Sequence, residues 1–94
     1  MKKITLFYLT GCPYCENAKR ALKELVVENP AYGDVEINWI EERQNAELAE
    51  QYDYYYVPTI YDGQVKLYEA SPSESYADCK DHVRAALDTV LGKV

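Results

Sequence analysis

No hydrophobic run in the sequence approaches the roughly 18–20 residues of a membrane-spanning helix. Positive charge is also scarce, because 10 Lys and Arg residues stand against 16 Asp and Glu residues, a net charge of −6. An acidic balance argues against nucleic acid as a partner, since nucleic acids bind basic faces. Linkers rich in Pro, Gly or Ser and internal repeats are absent. We therefore expect one domain, residues 1–94, with no nucleic-acid or membrane partner.

Cysteine is sparse as well, since three cysteines are too few for a small scaffold held together by disulfides. Two of them, Cys12 and Cys15, form a C-x-x-C pair, which indicates redox or metal chemistry. The apolar stretch 4–9 after Lys2 and Lys3 is at the short limit for a signal peptide. We therefore expect a cytoplasmic protein whose first strand is hydrophobic, rather than an exported one.

Hydrophobic periodicity and turn residues predict seven elements in the order βαβαββα. They are a strand at 3–9, a helix from Pro13 to about Asn29, a strand at 35–40, a short helix at 45–52, strands at 57–61 and 64–68, and a final helix from about Tyr76. Asp62-Gly63 is a strong hairpin turn between the last two strands. The first βαβ unit requires a parallel pair, and the hairpin adds antiparallel strands. The expected fold is α/β, a mixed four-stranded sheet flanked by three helices.

Side-chain patterns on these elements give further expectations about packing. The apolar face of the first helix is predicted to contain Ala18, Ala21, Leu22, Leu25 and Val26. The final helix is predicted to have one apolar side, which consists of Tyr76, Cys79, Val83, Ala86, Leu87, Val90 and Leu91. Trp39 is interpreted as core or sheet-face packing. The tyrosines at 52, 54, 55 and 56 are open to two interpretations, packing at a strand entry or an aromatic rim that contacts substrate.

The C-x-x-C pair stands where the first strand passes into the first helix. With Pro13 as the first helical residue, Cys12 is the N-cap, and its sulfur is expected to face unpaired backbone N–H groups and the positive end of the helix dipole. Both effects favour the thiolate, and cysteines placed in this way have pKa values lowered to about 3.5–7.5. Cys15 follows one helical turn later and is expected to stay protonated. We predict that Cys12 attacks and that Cys15 resolves the mixed disulfide.

These residues resemble the glutaredoxin branch of the thioredoxin superfamily. The resemblance rests on Leu6-Phe7, the motif Cys12-Pro13-Tyr14-Cys15, Ala18 and Leu22, and on Tyr56-Val57-Pro58, which resembles the superfamily's proline loop. It covers essentially the whole chain and implies the thioredoxin fold. It also implies that Pro58 is cis and faces the cysteines, and that the backbone of Val57 binds substrate. Pro13, Tyr14 and Tyr56 are the other predicted substrate-binding residues.

The sequence departs from the family at its glutathione site. The family's Lys three residues before the first cysteine is Leu9 here, and the Thr before its Val-Pro pair is Tyr56. The family's Gly-Gly-Asp stretch corresponds to Tyr68-Glu69-Ala70-Ser71-Pro72. Disulfide exchange is therefore the firmer prediction, and glutathione is retained as a candidate co-substrate.

The sequence predicts a thiol–disulfide oxidoreductase that transfers electrons to protein disulfides or glutathionylated thiols. Its reductant would be glutathione or an enzyme of the thioredoxin-reductase type, and we expect a monomer with no bound cofactor. The alternative is a metal-binding module, which takes one of two forms. Zinc would be held by Cys12, Cys15, Cys79 and His82, a valid Cys₃His ligand set, or an iron–sulfur cluster would be shared between two chains.

Overall fold

The computed structural model describes residues 2–92 and has the predicted βαβαββα order. The elements are β1 (Lys2–Tyr8), α1 (Pro13–Glu28), β2 (Val35–Glu41), α2 (Ala46–Ala49), β3 (Thr59–Asp62), β4 (Val65–Glu69) and α3 (Tyr76–Leu91). Two short 3₁₀ helices, Pro30–Asp34 and Glu42–Asn45, flank β2. Within residues 2–92, no helix combines the length and apolar character needed to span a membrane.

The four strands form one mixed sheet in the order β2-β1-β3-β4. β1 is parallel to β2 and antiparallel to β3, and β3 and β4 form the predicted hairpin. Phe7 near the end of β1 lies opposite Thr59 at the start of β3. The segment after β1 and the segment before β3 therefore lie next to each other at the same end of these two central strands. This topology brings the C-x-x-C pair and the Val57-Pro58 loop together.

Each face of the sheet covers its own core. The larger core packs α1 and α3 on one face and includes Ile4, Leu6, Leu22, Leu25, Ile60, Val83 and Leu87. On the other face Phe7, Ile40, Ala49 and Tyr61 are buried with Tyr52, Tyr54 and Val57 around them. The Phe7 ring has its centroid 4.8 Å from that of Tyr52, 5.1 Å from that of Tyr54 and 6.2 Å from that of Tyr61. Aromatic pairs of this kind add about 0.5–1.5 kcal/mol each beyond their buried area.

The structure corrects two element boundaries. The helix expected at 45–52 is only the four-residue α2, Ala46–Ala49, and the 3₁₀ helix Glu42–Asn45 precedes it. Asn45, with φ −138° and ψ 43°, lies outside the helical region and separates the two. β3 begins at Thr59 rather than at residue 57, since Pro58 has no N–H to donate to a strand ladder.

Two packing expectations also change. Val26 is 38% exposed and lies at the border of the buried face of α1, which consists of Cys15, Ala18, Ala21, Leu22 and Leu25. Trp39 is 41% exposed on the edge strand β2, and its ring packs edge-on against Tyr8 with the centroids 5.9 Å apart.

Candidate active site

Cys12 is delivered to the start of α1 by a tight turn. The N–H of Cys12 donates to the carbonyl of Leu9 at 3.3 Å, and Gly11 has a φ of +85°, a conformation that favours glycine. Cys12 is extended, with φ −85° and ψ 120°, and Pro13 is the first helical residue, as predicted. Pro13 is well suited to this position because its missing N–H would have no helical partner. The partly exposed Cys12 thiol therefore lies at the N-terminus of a 16-residue helix.

The direction of the Cys12 side chain differs from the sequence expectation. It makes no capping hydrogen bond to the N–H groups of the first turn of α1. Its Sγ lies instead 4.0 Å from the carbonyl oxygen of Val57. The nucleophile candidate therefore faces the loop that precedes β3.

Cys15 occupies the protected side of the pair. It is 2% exposed, and the N–H of Leu9 points at its Sγ from 3.5 Å. Burial, together with the hydrogen bond and negative charge of Cys12, raises the pKa of the Cys15 thiol to about 12. Lys19 acts in the opposite sense through its positive charge. Cys15 is therefore a thiol at neutral pH, in agreement with the sequence expectation.

The Val57-Pro58 loop lies where the sequence places it. The bond between the two residues is cis, and Pro58 is buried while Val57 is half-buried. The carbonyl of Pro58 accepts a hydrogen bond from the N–H of Ala70 at 3.0 Å, which continues the β3–β4 ladder by one pair. The backbone of Val57 is thus presented beside Cys12 on a loop that β4 supports.

An apolar cleft of about 160 Å³ includes Val57, whose carbonyl oxygen lies 4.0 Å from Cys12 Sγ. It is lined by Tyr14, Tyr56, Val57, Ala70, Ser71 and Pro72, none of which has a charged side chain. The hydroxyl of Tyr14 accepts a hydrogen bond from the N–H of Ser73 at 2.8 Å. This bond connects the first turn of α1 to the loop between β4 and α3. Ala70, Ser71 and Pro72 belong to the stretch that replaces the family's Gly-Gly-Asp, and none of the six lining side chains is a carboxylate that could bind an amino group.

The tyrosine cluster divides between the two interpretations. Tyr52 and Tyr54 pack on Phe7, and the Tyr54 hydroxyl donates to Glu42 at 2.7 Å. Tyr55 and Tyr56 are 86% and 51% exposed. The first two tyrosines therefore belong to the core, and the second two lie on the surface of the loop that leads to Val57.

Glu41 is a residue of the site that the sequence argument missed. It ends β2 and is 6% exposed, and its carboxylate accepts N–H groups from Thr10 at 2.9 Å and Arg43 at 2.6 Å. The Arg43 guanidinium donates to the Thr10 carbonyl at 3.0 Å. The hydrogen bond from Thr10 is the largest cause that holds the pKa of Glu41 below its usual range, and burial opposes it.

In the sequence Glu41 is one of many acids between residues 34 and 53, so that it resembles part of a solvated face. The signal that could have identified it is its position. It is the last residue of a strand that runs parallel to β1, so it lies beside the turn that leaves β1.

The proposed Cys₃His zinc site is wrong. Cys79 is buried in the core between the sheet and α3, while His82 is exposed and its Nδ1 lies 2.9 Å from Glu74. Within the described residues, no three His, Cys, Asp or Glu side chains converge as metal ligands would. The reason is that Cys79 lies on the apolar face of α3, one helical turn before Val83, so its side chain is directed into the core.

Comparisons with known proteins agree with this geometry. A family model described as Glutaredoxin matches residues 4–66, which is more than half of the chain. The chain belongs to the glutaredoxin family. It is also 35% identical over 77 residues to a protein named thioredoxin from Methanocaldococcus jannaschii, covering 81% of this chain and 88% of that protein. At the family level this glutaredoxin-family protein is a thiol–disulfide oxidoreductase.

Solved structures confirm the thioredoxin fold. Thioredoxin 1 from Thermosipho africanus superimposes with a TM-score of 0.58 at 18% identity, covering 93% of this chain and 96% of that one. A mutant thioredoxin from Halobacterium salinarum gives a TM-score of 0.56 at 20% identity, covering 90% and 74%. At these identities the likeness concerns the fold, and the chemistry of this chain depends on its own residues.

Proposed function

We propose that this protein reduces disulfide bonds of protein substrates through the dithiol of Cys12 and Cys15. One observation carries the proposal. The partly exposed thiol of Cys12 lies at the N-terminus of α1 and is in contact with the buried thiol of Cys15, whose pKa is raised to about 12. Such a pair separates the roles of attacking and resolving sulfur.

The first step is a thiol–disulfide exchange at Cys12. Its thiolate attacks one sulfur of the substrate disulfide, the S–S bond of the substrate breaks, and the other sulfur leaves as a thiolate that takes up a proton. The product is a mixed disulfide between Cys12 and the substrate. Cys12 is positioned for this attack at the start of α1, where its Sγ faces the carbonyl of Val57.

The second step is carried out by Cys15. It loses its proton and attacks the Cys12 Sγ, and the substrate's remaining sulfur is expelled as a thiolate that accepts a proton. Two electrons and two protons have then passed from the dithiol to the substrate, and Cys12 and Cys15 are joined by a disulfide. Burial keeps Cys15 protonated before the attack, and the proton that it then loses balances the proton taken up by the expelled substrate thiolate. An external thiol reductant restores the dithiol.

The cleft favours a protein segment as the substrate. Its lining is apolar and uncharged, whereas glutathione carries two carboxylates and an amino group. Leu9 also stands where the resemblance calls for a lysine. An extended segment that pairs with the Val57 backbone would place an apolar side chain against Tyr14, Tyr56 and Pro72. We therefore propose a monomeric cytoplasmic protein reductase that is served by an enzyme of the thioredoxin-reductase type.

The test is reduction of insulin disulfides with dithiothreitol as reductant. The wild-type protein is expected to accelerate reduction, Cys12→Ser to abolish the acceleration, and Cys15→Ser to accumulate insulin joined to Cys12 that mass spectrometry detects. Full activity of Cys12→Ser would overturn the mechanism.

Reduction of a glutathionylated peptide by glutathione, run in parallel, distinguishes the two substrate classes. Slow turnover of the peptide beside fast turnover of insulin is expected. The reverse ratio would assign a glutathione-dependent activity. Brown protein after anaerobic purification would favour the shared iron–sulfur cluster instead.

A further inference from the structure

Glu69 connects the two walls of the apolar cleft. It is the last residue of β4, and the next residue, Ala70, lines the cleft. One oxygen of its carboxylate accepts the N–H groups of both Tyr55 and Tyr56, at 2.7 and 2.9 Å. These amides belong to the loop that contributes Tyr56 and Val57 to the lining of the cleft. A single side chain therefore joins β4 to the backbone that would present Val57 to a substrate.

The peptide units of this loop are held from several sides. The hydroxyl of Thr59 donates to the carbonyl of Tyr56 at 2.5 Å, so both ends of residue 56 have a partner in β3 or β4. The hydroxyl of Tyr61 donates to the carbonyl of Asp53 at 2.6 Å. Among these contacts, only the two from Glu69 bind Tyr55 and Tyr56 to β4. This strand is followed directly by Ala70, which lines the cleft.

The Glu69 carboxylate is ionised and largely sheltered. Its side chain is 18% exposed, and Lys66 Nζ lies 2.7 Å from its second oxygen. Burial by itself would raise the pKa of Glu69, but the hydrogen bonds from Lys66, Tyr55 and Tyr56 outweigh it and hold the pKa below the usual range. A charged acceptor forms stronger hydrogen bonds to amides than a neutral one.

We infer that Glu69 is a positioning residue for substrate binding, which fixes the spacing of the two cleft walls by holding the amides of Tyr55 and Tyr56. The inference rests on the proposed function, because it concerns the same cleft. Glu69 does not touch the reacting sulfurs. Its removal should weaken binding of a protein substrate and leave the intrinsic reactivity of Cys12 unchanged.

Three variants separate this role from a general structural one. Glu69→Ala removes both amide contacts, Glu69→Gln retains a carbonyl oxygen that accepts them, and Lys66→Met removes only the ion pair. For insulin, Glu69→Ala is expected to raise KM about tenfold with kcat within about twofold, because the loop that would pair with the substrate is no longer held in one position before binding. Glu69→Gln and Lys66→Met are expected to stay within about threefold of the wild-type KM, since both retain an acceptor for the two amides.

Two further measurements complete the test. Reduction of hydroxyethyl disulfide, which has no peptide backbone to pair with Val57, should be unchanged in Glu69→Ala. Hydrogen exchange at the amides of Tyr55 and Tyr56 should become at least about tenfold faster in that variant, because the carboxylate that protects them is gone. Unchanged exchange or an unchanged insulin KM would overturn the inference.

The outcomes also distinguish this inference from the proposed function. Wild-type protein that reduces neither disulfide would overturn the proposed function whatever Glu69 does. Wild-type protein that reduces insulin, with Glu69→Ala equally active, would overturn only the role of Glu69. Equal slowing on both disulfides would show general structural damage and would also overturn that role.

Discussion

The carboxylate of Glu41 accepts the N–H of Thr10 at 2.9 Å, and it thereby joins the end of β2 to the turn that carries Cys12. Arg43 completes the contact by donating to the carbonyl of Thr10. Thr10 lies two positions before Cys12. Its N–H and its carbonyl are thus bound by the side chains of Glu41 and Arg43, which are two positions apart in the sequence. The position of Cys12 depends on this contact as well as on its own helix.

Replacement of Glu41 by Ala should therefore reduce both stability and activity. The N–H groups of Thr10 and Arg43 would lose a buried acceptor, which costs about 1–3 kcal/mol. Urea unfolding measures this loss, and insulin reduction should slow in parallel. Glu36→Ala is the matched control on the same strand, because its ion pair with Lys3 is exposed and contributes less than about 1 kcal/mol. Equal effects of the two variants would contradict the assignment.

Glu41 should also contribute to the pH dependence of stability. Its pKa is lower in the folded protein than in the unfolded chain, so its contribution is present above the unfolded pKa of about 4.5 and is lost as the pH falls through the folded pKa. Glu41→Gln cannot titrate. The stability difference between wild type and Glu41→Gln is expected to shrink as the pH falls from 5 to 3, as measured by urea unfolding. A constant difference would show that Glu41 has the same pKa in the folded protein as in the unfolded chain.

The two kinds of tyrosine should respond differently to truncation. Tyr54→Ala removes a ring that stacks on Phe7 and should cost about 2–4 kcal/mol of unfolding free energy. Tyr56→Ala removes an exposed ring at the cleft and should change stability by less than about 0.5 kcal/mol. We expect the second variant to lower kcat/KM for insulin about tenfold, consistent with the loss of one aromatic contact. Lost stability with unchanged kinetics in Tyr56→Ala would instead assign this residue to packing.

The three cysteines should differ sharply in their reaction with iodoacetamide. In the native protein at pH 7 we expect modification of Cys12 alone, because Cys15 and Cys79 are buried and burial is the main cause that raises the pKa of each. Mass spectrometry of peptides locates the label. Modification of Cys79 at the rate of Cys12 would contradict its assignment to the core.

In Cys12→Ser the modification of Cys15 should accelerate with pH. Only the thiolate reacts, and well below a pKa of about 12 its fraction rises about tenfold for each pH unit. Loss of the Cys12 sulfur removes a smaller cause of the raised pKa and leaves burial, the largest, in place. A rate that levels off near pH 9 would show an ordinary, accessible thiol.

The features that the sequence predicted are those that depend on neighbouring residues. Gly11 and Pro13 define the turn and the first helical residue around Cys12, and Asp62-Gly63 defines the hairpin. The order of strands and helices follows from apolar periodicity, which is read over short windows. These patterns were sufficient for the fold class and for the placement of the cysteine pair.

The features that escaped prediction depend on contacts between distant segments. Glu41 lies 31 residues from Thr10, and Glu69 lies 13 residues from Tyr56. Both contacts need the register of the sheet, which periodicity does not provide. The zinc interpretation failed because Cys79 is buried in the core, as the apolar periodicity of α3 had already indicated, while His82 is exposed. The direction of the Cys12 thiol towards Val57 was likewise decided by the fold.

Tyr14 contributes both to the surroundings of the dithiol and to the shape of the cleft, two properties that a protein engineer would want to vary separately. It stands between the two cysteines, it lines the cleft, and its hydroxyl holds the loop at Ser73. Any mutation at this position alters the surroundings of the dithiol and the shape of the cleft in one step. A library aimed at substrate range alone would therefore leave Tyr14 in place and vary Ser71, which lines the same cleft from the loop between β4 and α3.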